Sequence, residues 1–217
     1  ILGIVGDSGS GKTTLAKLAL GIYRPQAGSI TIDGIDIRQL RPITLRQTFS
    51  YVPQQNHAFS GSLLDNIRLA DPAATFEQVC QACHKAGLLH KIEALPNGLH
   101  TTFKEGLQSQ APPGFLRQLA LARAFLRNAP LVIMDEPAMS LEDKDEEAFL
   151  DALQSLRGQS TVIMITQRPS HMRLCDKLLV LQDGQMQHFG PTEQVLAEQS
   201  AIQNSKSSPS WQGANNG

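Results

Sequence analysis

Ile1-Leu-Gly-Ile-Val5, followed by Gly6-Asp-Ser-Gly-Ser-Gly-Lys12-Thr13, is the stretch that decides the fold. The first five residues are a short apolar run, the pattern of a buried strand. The next eight fit G-x-x-x-x-G-K-S/T in full. Lys12 to Leu20 then continues with helical spacing until Gly21 and Pro25 stop it. Strand, glycine loop and helix in that order make a cradle for phosphate. Glycines let successive backbone N–H groups turn inward around an anion. A helix entering at Lys12 points its positive end at the same place. The candidate nucleotide contacts are Gly6, Asp7, Ser8, Gly9, Ser10, Gly11, Lys12, Thr13 and Thr14. Lys12 has the reach for β- and γ-phosphates, and the Thr13 hydroxyl suits Mg²⁺. The plainer alternative is a glycine-rich turn that happens to precede a helix. It is disfavoured because both flanks carry the required pattern.

A second acidic site supports the first. Leu131-Val-Ile-Met134 is fully apolar and ends in Asp135-Glu136. That places two carboxylates at the carboxyl end of a buried strand, where open α/β sheets hold ligands. Asp135 suits the Mg²⁺ shell, and Glu136 suits the base that orients an attacking water. Alone, a strand ending in acids reads equally well as a solvated helix entry. Beside the phosphate loop it becomes specific.

Outward from these motifs, strands and helices alternate. Thr48 to Val52 and Thr161 to Thr166 read as further core strands. Gly28 to Gly34 alternates between glycines and reads as a strand at an antiparallel edge. Lys177 to Leu181 and Gln187 to Phe189 flank a turn at Asp183-Gly184. Leu63 to about Leu95 is helical, with breaks near Asp71-Pro72 and Gly87. Gly98 to Pro113 reads as a loop, and Gly114 to Leu126 as a helix, so residues 62–128 form a helical insert. Asp143 to Leu156 is a helix with an acidic start, suited to its dipole. The expected fold is α/β, a P-loop NTPase with a mostly parallel core sheet flanked by helices. One domain spans residues 1–200. A short helix over Thr192 to Gln199 closes it, and the Ser-, Asn- and Gly-rich tail 201–217 is expected to be disordered.

Composition narrows the classes further. The chain has 217 residues, 41% hydrophobic and 18% charged, which fits one folded domain. Its formal net charge is -1, so no general cationic field attracts nucleic acid. No apolar run approaches the roughly 18 to 20 residues that span a bilayer. The chain opens at Ile1 without an initiator methionine or a secretory leader, and is expected to be part of a longer one. Three cysteines make no disulfide framework at this length. Cys80-Gln-Ala-Cys83-His84 matches a haem c attachment pattern. It sits in a helix-patterned run, and Cys80 and Cys83 read better as core or half-exposed helix residues. No haem is expected, and zinc lacks a second ligand pair. His57, His84, His90 and His171 read as surface residues, and the acids from Glu142 to Glu147 as a solvated helix start.

Together these residues resemble the nucleotide-binding domain of an ATP-binding-cassette (ABC) transporter, in the exporter and type I secretion branch. The resemblance covers residues 1 to about 198. Tyr51-Val-Pro-Gln54 and Phe59-Ser-Gly-Ser-Leu-Leu-Asp-Asn-Ile67 are similar to the Q-loop and its sequel. Ile92-Glu-Ala-Leu-Pro-Asn-Gly-Leu99 matches the helical subdomain. Ala120-Leu-Ala-Arg-Ala124 and Asn128-Ala-Pro-Leu-Val-Ile-Met-Asp-Glu136 match the run from the signature helix into Walker B. The resemblance implies ATP with Mg²⁺, hydrolysis coupled to transport, and Gln54 touching the Mg²⁺ and water. It implies a second nucleotide-binding domain paired head to tail, as homo- or heterodimer. It also implies a transmembrane domain upstream, and a place at the cytoplasmic face of a membrane, the inner membrane if bacterial. The family's first strands and its adenine-stacking aromatic would precede Ile1.

The chain departs from the family at three points. The signature L-S-G-G-Q falls on Ala111-Pro-Pro-Gly-Phe115, so only Gly114 remains as a contact to the partner's nucleotide. Pro112 removes a hydroxyl, and Pro112 and Pro113 bring no N–H. Each lost charge-assisted bond is worth about 1.5 to 3 kcal/mol. Prolines also suit a helix start, so the segment can begin a helix well and bind γ-phosphate poorly. The switch histidine is Gln167, which can hydrogen-bond phosphate but carries no charge. The D-loop reads Met139-Ser-Leu-Glu142. ATP binding with slow hydrolysis is therefore expected, either as a transport engine or as a nucleotide-gated regulatory module of a heteromeric complex. A coiled-coil DNA-repair relative is disfavoured, because the helical insert is too short.

Overall fold

The computed structural model describes residues 1–103 and 111–206, with side chains to residue 201. Strand β1 (Leu2–Val5) runs into the glycine loop and helix α1 (Lys12–Ala19). A small hairpin follows, β2 (Thr31–Ile32) and β3 (Ile35–Asp36), then helix α2 (Pro42–Thr48) and strand β4 (Phe49–Val52). The insert holds β5 (Gly61–Ser62), α3 (Leu63–Arg68), α4 (Phe76–Lys85), α5 (Leu89–Glu93) and β6 (Thr102–Phe103). Helix α6 (Pro113–Arg127) leads back to β7 (Leu131–Asp135), α7 (Asp143–Ser155) and β8 (Thr161–Ile165). The chain closes with α8 (Pro169–Met172), β9 (Lys177–Gln182), β10 (Gln185–Pro191) and α9 (Thr192–Lys206).

The main sheet has the order β10-β9-β1-β8-β7-β4. Every neighbouring pair is parallel except β9 with β10. Its central strands β1, β7 and β8 are apolar on both faces, as parallel strands covered by helices must be, whereas the antiparallel edge β10 is largely exposed. Val132, Met134, Val162 and Met164 face the larger core under the helical insert and α7. Ile133 and Ile165 alternate to the other face and meet Ala16 of α1, with Ile4 and Phe49. The parallel order has one consequence for function. The carboxyl ends of β1, β8 and β7 lie side by side, so the loops after Val5, Ile165 and Asp135 open on the same edge.

Local chemistry explains the insert. Ser62 with Asp65, and Thr75 with Gln78, are capping boxes that start α3 and α4. Pro113 sits in the first turn of α6, where its missing N–H costs nothing.

The structure differs from the sequence reading in several places. Residues 28–34 do not edge the main sheet. Asp33 and Gly34 both have positive φ and fold the segment into the β2–β3 hairpin, a separate sheet, while β10 forms the antiparallel edge. Helix α9 runs past the expected end at Gln199. The expected disorder of the tail beyond Lys206 lies outside the described residues, as do residues 104–110 of the expected loop. Among the described residues no helix is long and apolar enough to cross a membrane. His171 is not on the surface: it is buried, with Nε2 2.7 Å from Glu146 Oε1. Nor are the acids of the α7 start all solvated. Asp145 is buried and accepts from Lys91 at 2.6 Å, because the first turn of α7 packs against the insert.

Candidate functional site

The loop after β1 is held in one conformation by contacts from distant segments. Gly6 has φ 149°, and a Cβ there would lie 2.0 Å from the Leu181 carbonyl oxygen. Only glycine fits so close to β9. From the β9–β10 turn, the Gly184 N–H donates to the Ser10 carbonyl at 3.1 Å. Gly9 and Gly11 have φ of 81° and 98°, the left-handed conformations that turn successive N–H groups inward. Asp7 closes the loop by accepting the Ser10 N–H at 3.2 Å. No acidic residue occupies the first turn of α1, so its N–H groups remain available to an anion.

Lys12 is buried inside this loop. Its ammonium donates to the Gly6 carbonyl at 2.8 Å and the Asp7 carbonyl at 2.6 Å, and reaches Ser10 Oγ at 3.4 Å. Three oxygen acceptors of the loop thus hold the charge at its centre.

Across the sheet edge stands the acidic side. Asp135 is buried at the end of β7, and its Oδ2 accepts the Thr13 hydroxyl at 2.6 Å. Two hard oxygen donors that converge in this way fit Mg²⁺. Glu136 follows with φ 51°, a left-handed strain for a non-glycine residue. Its N–H donates to the Ile165 carbonyl at 2.9 Å, which pins it to the neighbouring strand. Burial, with the Asp135 charge adding to it, pushes the Glu136 carboxyl above its usual range. Lys12, the Gln167 backbone N–H and Arg168 pull the other way without cancelling the shift.

These groups enclose one cleft of about 220 Å³. Ser8, Gly9, Gly11, Lys12, Thr13 and Thr14 line one wall, and Gln54, Asp135, Glu136 and Gln167 the other. Gly6, Asp7 and Ser10 form the frame of the loop.

A family model described as "ABC transporter" matches residues 1–139. The chain belongs to the ABC transporter family. ATP hydrolysis coupled to transport is the activity characteristic of that family. Relatives are similar along most of this chain. A probable ABC transporter ATP-binding/permease protein of Haemophilus influenzae is 37% identical over 186 residues, 86% of this chain and 34% of that protein. An ATP-dependent lipid A-core flippase of Vibrio cholerae is 37% identical over 91% of this chain and 34% of its own length. A type I secretion system ATP-binding protein of Rhizobium meliloti is 35% identical, with the same coverage. The chain therefore spans about a third of these relatives. Among solved structures, a bacterial Atm1-family ABC exporter with ATP bound superposes with a TM-score of 0.87 at 29% identity, covering 96% of this chain and 37% of that one.

In this ABC transporter chain Gly114 stands apart from the cleft. It lines a separate cavity of about 360 Å³ with Pro112, Pro113, Ser140, Glu142 and Lys91. A Cβ on Gly114 would lie 2.6 Å from the Ser140 carbonyl, so the glycine already serves contact with the D-loop inside this chain.

Arg117 was not singled out from the sequence, and no spacing marks it. It is buried on α6, donates to the Pro53 carbonyl at 2.8 Å and the Gln54 carbonyl at 2.7 Å, and has the Asp135 carbonyl at 3.5 Å. One guanidinium thus ties the signature helix to the Q-loop and Walker B. Cys83 packs in the core of α4, where burial pushes its thiol up to about 12, and Cys80 is half-buried beside it. Both are helix packing residues, as expected.

Proposed function

We propose that this domain binds ATP with Mg²⁺ and hydrolyses it slowly, to power or gate an exporter through head-to-tail pairing with a second nucleotide-binding domain. The observation that carries the reading is the contrast between two surfaces. The cleft brings Lys12, the Thr13–Asp135 pair and Glu136 together, whereas the segment facing a partner starts with Pro112 and Pro113. The loop N–H groups and Lys12 bind the β- and γ-phosphates. Thr13, Asp135 and Gln54 would hold Mg²⁺, which supplies charge neutralisation between those phosphates. Glu136, its basicity raised by burial, accepts a proton from the attacking water as the bond from the γ-phosphorus to ADP breaks. Gln167 donates an amide hydrogen bond to the γ-phosphate. The membrane domain, the cytoplasmic placement and the transported substrate belong to the same proposal, supported by relatives that are described as ATP-binding/permease proteins.

Turnover of the full-length protein tests it. We expect a rate below the range of about 1 to 100 s⁻¹. A rate inside that range removes the claim of slow hydrolysis. The two prolines also favour a second reading, a catalytically weak regulatory module of a heteromeric complex. Glu136→Gln separates the two. An engine becomes trapped as an ATP-bound dimer, seen by size-exclusion chromatography, while a gate barely changes.

A further inference from the structure

Gln167 lies between two residues whose restraints meet on one carboxylate. Thr166 is buried, and its N–H donates to the Ile4 carbonyl at 3.2 Å. The Thr166 hydroxyl oxygen accepts the Arg168 N–H at 3.1 Å, and it stands 3.5 Å from His171 Nδ1. On the other side of the imidazole, His171 Nε2 is 2.7 Å from Glu146 Oε1. The Arg168 guanidinium pairs with Glu146 Oε2. These contacts close a ring: Arg168 amide, Thr166 hydroxyl, His171 imidazole, Glu146 carboxylate, Arg168 guanidinium. The switch residue sits on the backbone span that the ring encloses.

The ring also specifies its protons. The Thr166 oxygen accepts from Arg168, which leaves its own hydrogen free for Nδ1. His171 then carries its proton on Nε2 and donates it to Glu146. Burial lowers the His171 pKa, and the neutral form suits this arrangement. The Phe149 ring packs against the imidazole with centroids 5.8 Å apart. Glu146 is not among the residues lining the nucleotide cleft. It lies in the first turn of α7, one turn after the D-loop segment Met139–Glu142.

We infer that Glu146 is a positioning residue for the switch: by holding Arg168 and His171 together it fixes the Gln167 backbone, and with it the direction in which the Gln167 side chain enters the cleft. Because α7 follows the D-loop directly, the same carboxylate links the two partner-facing loops of this chain. The catalytic consequence rests on the nucleotide reading of the cleft. The structural consequence does not.

The test uses Glu146→Gln in the full-length protein. Glutamine keeps the shape and can still accept from His171, but it loses the charge that holds Arg168. Arg168 is 41% exposed at its side chain, so it is released into water rather than left buried. Hydrogen exchange without nucleotide should show the Gln167 and Arg168 amides opening about tenfold faster. The kcat for MgATP should fall about tenfold with KM within about twofold. Placed on Gln167→Ala, the same substitution should change kcat less than about twofold, since both act through one group. Unaltered exchange overturns the inference. So does an equal loss of kcat with and without Gln167, which would mark a merely structural role. Absence of turnover in the unsubstituted protein overturns the proposed function instead, and the exchange measurement still decides the positioning role.

Discussion

Glu136 carries both a strained backbone and a perturbed carboxyl, and the two have a measurable effect on stability. Burial raises its pKa first, and the neighbouring Asp135 adds to the shift. The folded state therefore holds the proton more tightly than the unfolded chain does. Ionising Glu136 costs stability, and the loss grows as pH rises from the ordinary glutamate range through the raised folded value. Glu136→Gln should thus melt a few degrees above the unsubstituted protein at neutral pH. The gain should vanish below about pH 4, where both forms are neutral. Thermal melts across that window read it, and a pH-independent difference contradicts the account. At this scale the sequence was informative wherever a motif is contiguous. Gly6 to Thr13 and Asp135-Glu136 are marked as candidates by spacing alone, and the structure gathers Lys12, Thr13, Asp135 and Glu136 with Gln54 and Gln167 around one cleft. It was uninformative where the deciding neighbour is remote. Nothing near Gly6 announces the Leu181 carbonyl, and nothing near His171 announces Glu146.

Among the elements, α6 does the most to join the insert to the core. Its Arg117 forks onto the carbonyls of Pro53 and Gln54, two acceptors that face away from any ladder. Lysine cannot span both acceptors with a planar fork. Arg117→Lys should therefore cost about 1 to 3 kcal/mol in stability, read by denaturant unfolding with an unchanged slope. A loss of less than about 0.5 kcal/mol would show that the latch carries nothing. Elements with a full period were legible in advance: α4, α6, α7 and the buried strands follow their apolar patterns. Elements without one were not. The two-residue strands β5 and β6 offer no alternation to read, and α2 and α8 each begin at a proline that also signals a break. In the acidic start of α7, Glu142, Asp143 and Glu147 are exposed as expected, whereas Asp145 and Glu146 meet Lys91 and Arg168 from remote segments that no local pattern announces.

For the whole molecule, the proposed pairing turns on the contrast between the nucleotide cleft and the segment that begins with Pro112 and Pro113. Pro112→Ser with Pro113→Gly restores one hydroxyl and two N–H groups to the edge proposed to meet a partner. Two regained bonds to phosphate should strengthen ATP-dependent pairing by about tenfold or more. Light scattering with Glu136→Gln as background measures it, and unchanged association would show that the prolines are innocuous. The overall architecture was readable because strands alternate with helices, but the strand order was not, since no local pattern says that β1 lies between β8 and β9. That placement reaches into biosynthesis. Strand β1 has both its neighbours about 160 residues or more further along, with Leu2 opposite Ile163 on one side and Lys177 on the other. A nascent chain emerging from the ribosome must keep an apolar β-strand and its glycine loop unpaired until about 160 further residues have been made. The phosphate cradle is thus made well before the strands that complete it, and the growing chain carries an unpaired apolar segment over that interval.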